Sequence, residues 1–146
     1  MTNREIIEQA KRKSSILIAA HTYQPPAVQQ HADVLGDSFF MAQSAAESCA
    51  ETVYVCGVRF MAEGIKLLAP DKKVVLVSPD ADCPMAHQIE PQRVTEFKAA
   101  NPGAAVVVYI NSDIRLKAVS DVCVTSSCAV EVVKKQIGRA SCRERV

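Results

Sequence analysis

No apolar stretch in this chain is long enough to cross a bilayer. The only longish one, Ala104 to Ile110, falls far short of the roughly 20 residues a spanning helix needs. Excess charge of either sign is also lacking. Seventeen basic against sixteen acidic residues leave a net charge of +1, with no Lys/Arg stripe and no interleaved aromatics, so the footprint of a nucleic-acid binder is missing. The first residues, Met1-Thr2-Asn3-Arg4-Glu5, lead into a charged helical pattern instead of a basic patch followed by an apolar core. No secretory signal is expected, and the expected location is cytoplasmic. The six cysteines include no C-x-x-C pair, which leaves a closed zinc site unsupported. In a reducing compartment they are not a disulfide framework either; metal binding or catalysis remains.

What the chain does have is a repeat. At a fixed offset of 88 residues His21 falls on Tyr109, Tyr23 on Asn111, Asp33 on Asp121, Val34 on Val122 and Ser38 on Ser126. Ahead of each first pair runs a buried-strand pattern, Ile16-Leu17-Ile18-Ala19-Ala20 in one copy and Ala104-Ala105-Val106-Val107-Val108 in the other. A chain of 146 residues could form one domain burying about 70% of its unfolded surface. The repeat instead divides it into a first α/β unit over 1–88 and an incomplete second unit over 89–136. Matched polar positions at strand ends suggest a binding site to which both copies contribute.

Periodicity and turn residues predict helices over Thr2 to Lys13, Ser38 to about Cys49, Arg59 to Leu68, Pro91 to about Asn101 and Ser126 to about Gln136. Strands are predicted at Ser15 to Ala20, near Val34, and at Thr52 to Cys56, Lys73 to Val77, Ala104 to Ile110 and Asp121 to Val124. A loop is expected around Pro25-Pro26, and Asn101-Pro102-Gly103 is a strong helix stop. Apolar strands alternating with helices mean an α/β fold: repeated three-layer units whose parallel sheets are covered on both faces. Ligands in such folds collect beyond the carboxyl ends of the strands. From about Ile137 the periodicity stops, and three arginines fall within seven positions. Residues 137–146 therefore look like a non-native tail.

The polar residues after each apolar run are the candidates for chemistry. His21 and Tyr23 lie two apart, so in extended geometry they point the same way; the imidazole can hold a carboxylate or move a proton, and the phenol can donate to a developing oxyanion. Tyr109 and Asn111 repeat that spacing, with Ile110 between them turned toward the core. Ser38 and Ser126 are expected to begin helices, where free backbone N–H groups favour a carboxylate or phosphate; an ordinary N-cap is the plainer alternative for each. Cys83, in the polar loop Asp80-Ala81-Asp82-Cys83-Pro84, could ligate iron or zinc, whereas Cys56 at a strand end suits the core. Cys123 and Cys128, with four residues between them, share part of a ferredoxin-like spacing, but the scattered cysteines disfavour a small electron carrier.

These residues resemble the quinolinate synthase family. The likeness rests on His21-Thr22-Tyr23-Gln24, Ala32-Asp33-Val34-Leu35-Gly36-Asp37-Ser38, Cys56-Gly57-Val58-Arg59-Phe60-Met61-Ala62-Glu63, Asp80-Ala81-Asp82-Cys83, Tyr109-Ile110-Asn111-Ser112 and Thr125-Ser126-Ser127. It implies three similar α/β units about a pseudo-threefold axis, of which this chain would hold an N-terminal fragment. It also implies a 4Fe-4S cluster acting as a Lewis acid, held by one cysteine from each unit, with Cys83 the first ligand. The implied reaction condenses iminoaspartate with dihydroxyacetone phosphate to quinolinate, for NAD biosynthesis. L-Aspartate oxidase or aspartate dehydrogenase would be the source of iminoaspartate. By the same resemblance, His21 and Ser38 would hold carboxylates, Tyr109, Ile110, Asn111 and Ser126 would bind the other end of the intermediate, and Tyr23 would assist proton movement. A chain with one cluster cysteine is expected to be inactive. The alternative is a metal-free phosphate- or carboxylate-binding α/β module.

Overall fold

A computed structural model of the chain describes residues 1–136, so the tail reading of 137–146 lies outside the described residues. The chain separates into two units, residues 1–83 and Pro84 onward.

The first unit opens with helix α1 (Asn3–Lys13). Its start is a capping box, in which the Thr2 hydroxyl accepts from the Glu5 N–H while the Glu5 carboxylate accepts from the Thr2 N–H. Strand β1 (Ile16–His21), a short helix α2 (Pro26–Gln29), strand β2 (Val34–Gly36), helix α3 (Ser38–Glu47), strand β3 (Thr52–Cys56), helix α4 (Arg59–Leu68) and strand β4 (Lys73–Leu76) follow. All strand pairs are parallel, in the order β2-β1-β3-β4. This is the parallel α/β architecture that the alternation of strand and helix dictates. The core lies where α3 and α4 meet each other and the sheet. Ala19 and Ala20 of β1, Val53 and Val55 of β3, Met41, Ala42 and Ala45 of α3, and Phe60 and Ile65 of α4 are all buried there. Small residues on β1 and α3 let the helix sit close to the central strand.

The second unit runs through a 3₁₀ turn (Pro84–His87), helix α5 (Pro91–Ala100), strand β5 (Val107–Tyr109), helix α6 (Ile114–Val119), strand β6 (Val122–Val124) and helix α7 (Ala129–Gln136). Gly103, at φ 89°, turns the chain out of α5 in a conformation that side-chain-bearing residues rarely adopt.

The repeat is a repeat of hydrogen bonds as well as of residues. β1 pairs with β2 at Ala19 with Val34, Ala20 with Leu35 and His21 with Gly36; β5 pairs with β6 at Val107 with Val122, Val108 with Cys123 and Tyr109 with Val124. In both units the aspartate ahead of the second strand clasps the first strand. Asp33 N donates to Ile18 O (2.8 Å) and its Oδ2 accepts from Ile18 N (2.9 Å), while Oδ1 pairs with Lys11 from the last turn of α1. Asp121 N donates to Val106 O (2.9 Å), its Oδ2 accepts from Val106 N (2.8 Å), and Oδ1 pairs with Lys98 of α5 at 2.7 Å. The Lys98 hydrogen bond, aided by that from Val106, holds the Asp121 carboxyl below its ordinary range. Each carboxylate thus extends a parallel ladder by one rung and ties it to a helix end. Asp33→Ala and Asp121→Ala are each expected to cost about 1–2 kcal/mol, below the range of about 1.5–3 for hydrogen bonds to a charged group because both carboxylates are partly exposed. Urea unfolding of the two variants would check this, and losses below a few tenths would show the clasps to be ornamental.

The structure corrects four expectations. The loop around Pro25-Pro26 contains α2, with Pro26 in the first helical turn, where its missing N–H costs nothing. Helix α6 was not anticipated; at the repeat offset it matches α2. β5 is shorter than Ala104 to Ile110, because its ladder with β6 has three rungs, whereas β1 is also paired by β3 from Ile16 to Ala20. α7 starts at Ala129, so Ser126 does not begin a helix. Both Cys128 N and Ala129 N donate to Thr125 O, and Ser126 lies in the turn this makes. Ser38 begins α3 as expected, with Asp37 as its cap.

Candidate functional site

In the first unit the relevant residues stand at the carboxyl ends of β1, β2 and β3. His21 ends β1 and is 7% exposed. Its Nδ1 accepts the Tyr23 backbone N–H at 3.2 Å, which places the proton of the neutral imidazole on Nε2. Burial lowers its pKa, and the Asp37 carboxylate opposes that shift. Tyr23 does not continue an extended strand as the two-residue spacing suggests: Gln24 N bonds His21 O in a tight turn. The turn still brings the rings edge to face, centroids 4.6 Å apart, while leaving Tyr23 90% exposed. That phenol is open to a ligand or to solvent.

Beside His21, β2 ends at Gly36. Asp37 then caps α3 by accepting from Phe39 N (2.9 Å) and Phe40 N (2.8 Å), so that buried Ser38 becomes the first helical residue. After β3, Gly57 admits the neighbouring side chains closely: a Cβ there would lie 2.7 Å from Met61 Sδ and 3.9 Å from His21 Cβ. A side chain there would displace the Met61 sulfur and come into ordinary contact with His21. Cys56 is half-buried and burial pushes its thiol pKa up, in keeping with a packing role. Cys83 is half-buried; its N–H donates to Asp82 Oδ1 (2.8 Å), and Asp82 faces Arg59 at 3.6 Å.

In the second unit Tyr109 ends β5, and its hydroxyl and that of Ser126 are hydrogen-bonded at 2.8 Å. The turn that removes Ser126 from the helix is what brings it to the phenol. Ile110 is half-buried and extends the ladder by donating to Val124 O (2.8 Å); Asn111 follows in a bend. Thr125 Oγ1 engages Ser127 Oγ (2.8 Å) and Cys128 Sγ (3.3 Å), and the hydrogen bonds to Cys128 Sγ from the Thr125 hydroxyl and its N–H (3.3 Å) hold that thiol below its ordinary range.

Sequence reasoning passed over a cluster centred on Asp113. Buried Asp113 caps α6 through Leu116 N (2.9 Å), accepts from Arg115 Nη2 (2.7 Å) and faces His87 Nδ1 at 3.1 Å. The available signal was Ser112-Asp113 standing directly before an apolar helical pattern.

Among the described residues no three His, Cys, Asp or Glu side chains are grouped to hold a metal ion. A 4Fe-4S cluster requires several thiolates, so these residues alone do not fit it. No described helix is long and apolar enough to cross a membrane.

The sequence profile of the family described as Quinolinate synthetase A protein matches residues 5–142. The chain belongs to that family. It is 46% identical to the quinolinate synthase of Alkaliphilus metalliredigens over 128 residues, which is 88% of this chain and 42% of that protein. Identity is likewise 46% to the quinolinate synthase of Clostridium acetobutylicum over 132 residues (90% and 44%), and to that of Thermus thermophilus over 125 residues (86% and 40%). The chain thus spans about two-fifths of the length of the curated relatives it matches. His21 and Tyr109 end strands, Ser38 opens the helix that follows β2 and Ser126 lies in the turn after β6, the end of a parallel α/β sheet where ligands collect.

Proposed function

We propose that this chain supplies part of a quinolinate synthase, which condenses iminoaspartate with dihydroxyacetone phosphate and releases phosphate and water. The match to named quinolinate synthases over nearly the whole chain carries this reading. In it, His21 Nε2 donates to one carboxylate of the iminoaspartate-derived portion, and Ser38 at the first turn of α3 assists. Tyr109, Ile110, Asn111 and Ser126 bind the opposite end of the intermediate, with the Tyr109–Ser126 hydrogen bond holding both hydroxyls ready. Exposed Tyr23 moves a proton during dehydration, and burial keeps His21 neutral enough to donate without becoming a fixed cation. Iminoaspartate would come from L-aspartate oxidase or aspartate dehydrogenase, in the cytoplasm.

Cys83 is proposed as one of three cysteine ligands of a 4Fe-4S cluster that serves as a Lewis acid when bound, the other two coming one from each of the other two α/β units. The chain by itself is proposed to neither assemble the cluster nor turn over.

The test joins residues 1–136 to the remainder of the Clostridium acetobutylicum relative. The expected product is a brown, oxygen-sensitive enzyme that forms quinolinate. Cys83→Ser in that hybrid is expected to remove the cluster absorption and the activity, whereas His21→Ala lowers activity by about 10²-fold or more with the cluster intact. If Cys83→Ser left the absorption unchanged, the cluster assignment would be lost. If ligand affinity also survived, a metal-free carboxylate- or phosphate-binding module would be the better description.

A further inference from the structure

We infer that Gln29 is a positioning residue: its side-chain amide clasps the turn that follows β1, and so holds the Tyr23 ring on the His21 imidazole and the imidazole in a single tautomer. The inference deepens, and rests on, the reading of His21 as a carboxylate binder with Tyr23 as its proton-moving neighbour.

Tyr23 is 90% exposed, so packing does little to fix it and its place depends on the backbone beneath. That backbone is a turn whose N–H groups are all engaged. Thr22 N donates to Gly36 O (3.1 Å), Tyr23 N to His21 Nδ1 (3.2 Å) and Gln24 N to His21 O (2.9 Å). Two of its carbonyls, Thr22 O and Gln24 O, accept from one atom, Gln29 Nε2, at 2.9 and 2.7 Å. Two acceptors on one amide atom settle its identity, because only the nitrogen has two protons to give. Helix α2 exists in the right place for this: Pro25 O accepts from Val28 N (2.8 Å) and Gln29 N (3.1 Å), so the proline pair starts the helical turn that returns Gln29 to residues 22–24. That helix buries none of its four residues and adds little to the core. What it supplies is the amide. With the turn fixed, the two rings stand edge to face at 4.6 Å between centroids, and the Tyr23 N–H stays on Nδ1 so that Nε2 carries the imidazole proton.

Glutamate keeps the length of glutamine but, ionised at neutral pH, has no proton to donate; methionine removes both donors without adding charge. In Gln29→Glu and in Gln29→Met the Tyr23 amide is expected to exchange with solvent about tenfold faster or more, as the loss of two neutral hydrogen bonds allows, while the amides of β3 exchange as in the parent. NMR cross-peaks between the His21 and Tyr23 rings are expected to weaken, and the imidazole nitrogen shifts to move from the Nε2–H form toward a mixture of the two tautomers. A role confined to stability would leave the tautomer signal in place. If either variant, shown to be folded by its β3 exchange, keeps the parent's ring cross-peaks and tautomer, the inference is overturned. Malonate, titrated into the parent as a dicarboxylate probe, tests the underlying reading separately. It is expected to shift the His21 signals, and a lack of any shift would remove the carboxylate role while the ring contact still decides the clasp.

Discussion

Replacing Asp113 by alanine is expected to destabilise the second unit by about 2–3 kcal/mol at neutral pH, and by progressively less as the pH falls toward 2. Burial pushes this carboxyl's pKa up, but hydrogen bonds from Leu116 N, Arg115 and His87 outweigh it and bring the pKa to about 2, against an ordinary value of 3.8. The folded state therefore favours the ionised form. That stabilisation is complete above the unfolded value near 4, declines as the pH falls through the folded value, and amounts to roughly 2 kcal/mol. Loss of the helix cap adds to it, since the Leu116 N–H is left without its acceptor. Arg115 is largely exposed and recovers water, which limits the total. The Asp113 N–H also donates to Ala86 O (3.2 Å), so the cluster ties α6 to the 3₁₀ turn. Denaturant unfolding of parent and variant at pH 7, 4 and 2.5 should show the difference shrinking with acid. A difference independent of pH would mean that the cap, not the charge, matters.

The second large effect is expected in the first unit. Ile65→Ala should cost about 2–5 kcal/mol, because the side chain is fully buried on α4 where α4 packs against α3, and its removal leaves a cavity that close-packed neighbours fill only in part. Leu67→Ala, two residues along the same helix and 53% exposed, is expected to change stability by less than about 0.5 kcal/mol. The contrast matters for the site, since α3 begins with Ser38 and the sheet beneath ends with His21. Urea midpoints with unchanged slopes would report the two losses; equal losses would mean that the α3–α4 contact is not the core of this unit.

Much of this was legible from residue order alone. The apolar runs of β1 and β3 and the amphipathic stretches of α1 and α4 are local patterns, and they fall where periodicity puts them to within a residue or two. The 88-residue offset announced not only matching residues but matching ladders, because an aspartate that clasps a strand must recur wherever that strand pairing recurs. The helices α2 and α6 escaped because six residues or fewer of helix carry too little periodicity to stand out, and Pro26 in the first turn of α2 reads as loop.

The chain's own order of residues determined its family, its parallel α/β class and the list of strand-end residues, since each depends on sequence pattern alone. Tertiary structure decided which of those residues meet. Pairing of β5 with β6 brings Ser126, 17 residues on, to the Tyr109 hydroxyl, and pairing of β1 with β2 sets buried His21 opposite Gly36. These outcomes hang on backbone hydrogen bonds and exclusion of water between segments distant in sequence. No local pattern encodes them.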